Sequence, residues 1–123
     1  EDIFDLTPDL VVIEFINDTS FPPEKIVQNY TKIFAEFAIY NIEPVLITPF
    51  VPLKGFYPYY DVDITAWRKL ARDRKIAGCD ISQAWQDLAK RGIPPNALLF
   101  NSINHPDNFG HKYIADEIIK LFD

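Results

Sequence analysis

Histidine and glycine are among the scarce residues of this chain, two of the first and four of the second in 123 residues. The glycines, Gly55, Gly78, Gly92 and Gly110, are isolated from one another, so no glycine-rich turn is available to cradle a nucleotide phosphate. The single cysteine, Cys79, excludes an internal disulfide and the cysteine pairs of a structural zinc site. It falls in a run that reads as a buried strand, which gives redox chemistry no support. Basic residues are in deficit, 12 against 18 acidic, and no Lys/Arg cluster interrupts the excess, so nucleic acid is not an expected partner. No run approaches the roughly 18 apolar residues of a membrane span. The opening "EDIFDLTPDL" has neither the basic segment nor the apolar core of a signal peptide. Methionine is absent altogether, the initiator included.

What remains is 48% hydrophobic and long enough for one core. "DLVVIEF", Asp9 to Phe15, is a continuous apolar run rich in β-branched residues, the pattern of a strand covered on both faces. Behind the prolines of "PPEKIVQNYTKIFAEFAIYN", Ile26, Tyr30, Ile33, Phe34 and Phe37 recur at helical spacing. "PVLITPF", Pro44 to Phe50, reads as a second buried strand, and strand, helix, strand in this order means a βαβ unit and a parallel sheet. The aromatic segment "VPLKGFYPYYDVD" then leaves the carboxyl end of that strand, where loops commonly line ligand sites. A helix follows with Asp63 as its expected N-cap, then a short strand in "KIAGCDI" and a helix expected to be capped by Ser82 and stopped by Gly92. The last helix is expected from about Asn108 to Phe122, with Phe109, Tyr113, Ile114, Ile118 and Leu121 on its apolar face. Three strands make a poor doubly wound sheet, since the first would lie at an open edge. Further strands upstream of Glu1 are therefore expected.

The two histidines stand six residues apart in "NSINHPDNFGH". Pro106 excludes His105 from the α region, so it must lie in the loop before the last helix. Asp107 or Asn108 would cap that helix, placing the imidazole beside its N-terminal end; a neutral imidazole is what a general base starts from. His111 falls within the first turns and reads as structural. In "IEFINDT" a strand delivers Asn17 and Asp18 at its carboxyl end, either as ordinary turn chemistry or as an amide that donates to a developing oxyanion. Asn17 and Asn29 also begin glycosylation sequons, a motif too frequent to carry weight. Metal ligation by His105, Asp107 and His111, or by Asp61 and Asp63, lacks the spacing of any recognised site.

Together, "PDLVVIEFIND", "PVLITPF", "CDISQAWQDL" and above all "NHPDNFGH" resemble, in order, the conserved segments of the SGNH hydrolases, the GDSL-type esterases and lipases. The resemblance implies a flavodoxin-like three-layer α/β/α sandwich around a parallel sheet, of which residues 1–123 would be the C-terminal part of a single domain. It implies serine-dependent cleavage of a small-molecule ester, including acetylated carbohydrate, with no cofactor and no metal. By position, His105 corresponds to the base that activates the serine and Asn17 to the side-chain donor of the oxyanion hole. The nucleophile of the family follows the first strand, and no Gly-Asp-Ser occurs here. The serine would then belong to a missing N-terminal segment of the same domain. Two places depart from the family pattern: Phe15 stands where a glycine is usual, and Ser102 stands three residues before His105, where the family carries the triad aspartate. Those departures suit a second reading, a sandwich that lost activity and kept a binding role. Phe56, Tyr57, Tyr59 and Tyr60 form the expected substrate-facing wall, since tyrosines stack on rings and keep a polar tip.

Overall fold

A computed structural model describes residues 3–122. Its regular elements are β1 (Leu10–Ile13), α1 (Pro23–Ile39), β2 (Glu43–Ile47), α2 (Tyr60–Arg74), β3 (Ala77–Cys79), α3 (Ile81–Lys90) and α4 (Asn108–Ile119), with short 3-10 turns at Ile3–Leu6, Ile16–Ser20 and Pro95–Leu98. The sheet order is β1-β2-β3 and both pairings are parallel. Val12 lies opposite Val45, and Ile47 opposite Cys79.

Alternation along β2 divides the core into two layers, because successive side chains point to opposite faces. Leu46 joins Ile13 and packs with Ile26, Tyr30, Phe34 and Phe37 of α1 and Ile64, Trp67 and Leu70 of α2. Val45 and Ile47 turn the other way, to Trp85 of α3, Leu99, and Tyr113, Ile114 and Ile118 of α4. The result is an α/β/α sandwich, as the resemblance implies, built on the parallel βαβ unit that the apolar runs and helical spacings imply. One tryptophan anchors each layer, Trp67 and Trp85, both fully buried; a ring of that size removes on the order of 200 Å² from water. The Trp85 Nε1–H donates to the Pro95 carbonyl at 3.0 Å, so burial leaves its polar atom satisfied.

Four local expectations are corrected. β1 is covered on one face only: Ile13 is buried in the α1/α2 layer, but Val12 on the opposite face is 45% exposed and is not among the residues of the second layer. Its edge is open as well, β2 being the only strand paired with it among the described residues. Beside it runs an open groove of about 450 Å³ lined by Val11, Val12, Phe15, Ile33 and Phe37. α3 is capped by Asp80, whose carboxylate accepts from the Gln83 N–H at 3.0 Å, while Ser82 is buried in the first turn and receives the Tyr60 hydroxyl at 3.0 Å. A charged acceptor at a helix N-terminus gains from the dipole as well as from the hydrogen bond, and Asp80 is the residue placed to use both. Phe109 points outward at 75% exposure, one position off the stripe on which Gly110 is buried and Tyr113 and Ile114 are half-buried.

The fourth correction concerns Asp63, which lies one turn inside α2 rather than at its cap and has no exposed surface. Neither of its carboxylate oxygens has a hydrogen-bond partner. Burial pushes its carboxyl up to about 7, with smaller contributions from the charges of Asp18 and Glu24. A carboxyl raised in the folded state holds its proton over a pH range in which the unfolded chain has already lost it. Stability contributed by Asp63 therefore declines as pH rises from about 4 to about 7, each tenfold change in proton affinity being worth about 1.4 kcal/mol. Asp63→Asn is expected to raise the thermal midpoint at pH 8 far more than at pH 5; equal shifts at the two pH values would refute the buried charge.

Candidate active site

In a parallel sheet the carboxyl ends of all strands lie along one rim, and three loops meet there. The first leaves β1 as the 3-10 turn Ile16–Ser20, stapled by the buried Thr19 hydroxyl, which donates to the Ile16 carbonyl at 2.5 Å. This turn holds Asn17 at the surface. The second loop follows β2 and carries Tyr57, which is 8% exposed. The Tyr59 N–H donates to the Thr19 carbonyl at 3.4 Å and joins the second loop to the first.

The third loop precedes α4. An isolated antiparallel bridge pairs Leu99 with Pro106, and the Phe100 N–H donates to the His105 carbonyl at 2.7 Å, so residues 100–105 form a tight hairpin-like turn. Its interior is a single side chain. The Asn101 Oδ1 accepts from the backbone N–H groups of Ile103, Asn104 and His105 at 3.0, 2.9 and 3.1 Å. Ser102 can then take the left-handed conformation, φ 57°, that the turn requires of a residue that rarely adopts it. The Leu53 N–H donates to the Ile103 carbonyl at 2.6 Å and docks the third loop on the second.

These contacts place His105 and Asn17 on one rim and connect them. The Asn101 Nδ2 donates to the Asn104 Oδ1 at 2.9 Å, the Asn104 Nδ2 donates to the Tyr57 hydroxyl oxygen at 3.0 Å, and that hydroxyl donates to the Asn17 Oδ1 at 2.9 Å. His105 is exposed on its loop, and His111 is exposed on α4. Asp107 caps α4, accepting from the Gly110 N–H at 2.7 Å. Asp80 pairs with Arg68 at 2.7 Å and accepts the Thr48 hydroxyl at 3.1 Å. Burial alone would raise the Asp80 carboxyl; the bonds from Arg68 and from the Gln83 N–H outweigh it and hold the group below the ordinary carboxylate range. Among the described residues no carboxylate bonds the His105 ring, and no group of three His, Cys, Asp or Glu is arranged to hold a metal ion.

The aromatic wall is divided by burial. Tyr60 sits in the core with its hydroxyl on Ser82 and on the Pro49 carbonyl, and Tyr57 is committed to Asn17 and Asn104, while Phe56 and Tyr59 remain exposed. Tyr57 and Tyr59 line an open cleft of about 800 Å³ together with Lys54, Asp61, Gln86 and Asn96. Sequence reading missed Tyr57 as a bridge and Asn101 as the former of the loop. The asparagine pair in "NSIN" was the available signal for the second, since Asn bonds its own following backbone in a turn.

No protein-family model matches the sequence, and no curated protein sequence matches it. Solved structures do match the fold. Axe2, an acetylxylan esterase from Geobacillus stearothermophilus, superposes with a TM-score of 0.79 at 20% identity, over 98% of this chain and 62% of its own. The acetyl xylan esterase AlAXEase gives a TM-score of 0.79 at 19% identity, over 97% of this chain and 69% of its own. Variants of a serine, a histidine and an aspartate of Axe2 are described as catalytic mutants, that aspartate standing three residues before that histidine. The chain thus spans about 62% of the length of Axe2 and shares the α/β/α fold of both esterases.

Proposed function

We propose that this chain is the C-terminal portion of an SGNH-type ester hydrolase that removes acyl groups, acetyl in particular, from carbohydrate. The observation that carries the proposal is the hydrogen-bonded union of Asn17 with the His105 loop on the carboxyl rim of the sheet. General base and oxyanion donor are two groups that acyl transfer needs held in fixed relation. The serine nucleophile would come from strands preceding β1. Its open edge, and the apolar groove beside it, offer those strands an unpaired ladder and a surface to cover.

In this mechanism the serine oxygen attacks the ester carbonyl while His105 takes its proton. The Asn17 amide donates to the carbonyl oxygen as negative charge develops there. Collapse of the tetrahedral intermediate expels the alcohol, which receives the proton from His105. Water then repeats the sequence on the acyl-serine and releases the acid. The exposed Phe56 and Tyr59 would meet the sugar ring.

The test is acetate release from acetylated xylo-oligosaccharides, with fluorophosphonate labelling, by the full-length protein and by residues 1–123 alone. Turnover and labelling are expected for the first and neither for the second. Labelling of neither would leave a binding domain as the reading, which Ser102 in place of an acid would suit.

A further inference from the structure

Amide side chains can be turned end for end with little change of shape, so the direction in which Asn17 presents itself has to be set by its partners. Here the setting begins at groups that cannot be reversed. Three backbone N–H groups converge on Asn101, and a backbone N–H can only donate, so the oxygen of Asn101 must face them. Its Nδ2 is thereby turned outward to the Asn104 Oδ1. The Asn104 Nδ2 is then the group left for Tyr57, and it donates to the hydroxyl oxygen. The Tyr57 proton is left free to be given to Asn17, whose Oδ1 accepts it. Each amide orientation follows from the one before, across three loops.

From this we infer that Tyr57 is a positioning residue: its hydroxyl holds the Asn17 carbonyl, so that the Asn17 N–H groups are the ones offered to the oxyanion. The inference rests on the proposed esterase reading, in which those N–H groups are used. It assigns to a buried tyrosine of the aromatic loop a task distinct from substrate stacking. It also makes the backbone of the His105 loop the source of the orientation of Asn17, so that base and donor form one unit.

Two variants test it in the full-length protein. Tyr57→Phe keeps the buried ring, including its edge contact with Phe56, and removes the bridge. It is expected to lower kcat about tenfold with KM little changed, a fraction of the 10²–10³ attached to an oxyanion donor itself. In an Asn17→Ala background the same change is expected to cost nothing further. Asn104→Asp is the sharper variant, because a carboxylate can accept the Tyr57 proton and cannot donate. The hydroxyl then has no proton for Asn17, whose amide turns to donate to it, and kcat is expected to fall at least as far as in Tyr57→Phe. A tyrosine that merely fills space would show equal losses in both Asn17 backgrounds and tolerance of Asn104→Asp, and either result overturns the inference. The side-chain amide resonances of Asn17 report on the relay without turnover. If they are unmoved by Tyr57→Phe the relay is refuted, whatever the activity; if they move in a protein that hydrolyses no ester, the relay stands and the esterase reading falls.

Discussion

Replacing His105 by alanine in the full-length protein is expected to lower kcat/KM for an acetyl ester by about 10³-fold, within the range that general acid-base catalysis supplies. Almost none of that loss is expected to come from unfolding. The His105 side chain is exposed, and the hydrogen bonds that shape its loop use its backbone: the carbonyl takes the Phe100 N–H and its own N–H goes to Asn101. Alanine keeps both. His111→Ala is the matched control, an exposed imidazole inside α4 that touches none of the three loop contacts described above. Its rate is expected to stay at the parent value. If His105→Ala retains parent activity, or if both variants lose it alike, His105 is not the base.

The largest stability effect is expected at Gly110, where alanine should cost about 1–3 kcal/mol or more. Two effects oppose each other there. Gly110 is the third residue of α4, and inside a helix alanine is favoured over glycine by about 1 kcal/mol. Space decides against it. A Cβ at this position would lie 2.6 Å from the Leu98 carbonyl oxygen, 3.0 Å from the Trp85 ring and 3.1 Å from Pro106. The nearest atom belongs to the backbone and cannot swing aside. The Leu98 carbonyl also receives the Asp107 N–H at 2.8 Å, so relief of the clash would pull on the segment that presents His105. Chemical denaturation of Gly110→Ala beside the parent settles the sign. A stability equal to or above the parent would show that α4 can lift off Trp85 at no cost, contrary to the packing described here.

Most of the fold was legible because its signals are local or periodic. Ile26, Tyr30, Phe34 and Phe37 mark the buried side of α1 by spacing alone, and the apolar run around Val45 to Ile47 has only one use in a βαβ unit. The caps were harder. Asp63 has the chemistry of an N-cap yet lies inside α2, and at α3 both Asp80 and Ser82 have it; where each helix begins is set by how it meets the sheet, which composition does not encode. Val12 misleads for a related reason: its side chain suits a covered strand, and only the placement of α3 and α4 over β2 leaves that face of β1 bare. At the rim, Asn17 and His105 stand out as candidates through their neighbours in sequence, a strand end and a proline. Tyr57 was read as a wall residue because the bridge it makes joins positions 40 and 47 residues away, a distance no local pattern spans.

The bare edge of β1 also governs how the chain behaves as a solute. An unpaired ladder beside an apolar groove is a template for joining another copy, and charge is what opposes it. The chain carries a net charge of −6 at neutral pH, and its pI is about 4.8. Acidification towards the pI lets Asp63 keep its proton and so strengthens the fold, while it removes the repulsion between copies. Folding and colloidal dispersion of this chain are therefore expected to favour opposite ends of the same pH range, a mildly alkaline buffer favouring dispersion at the expense of some stability.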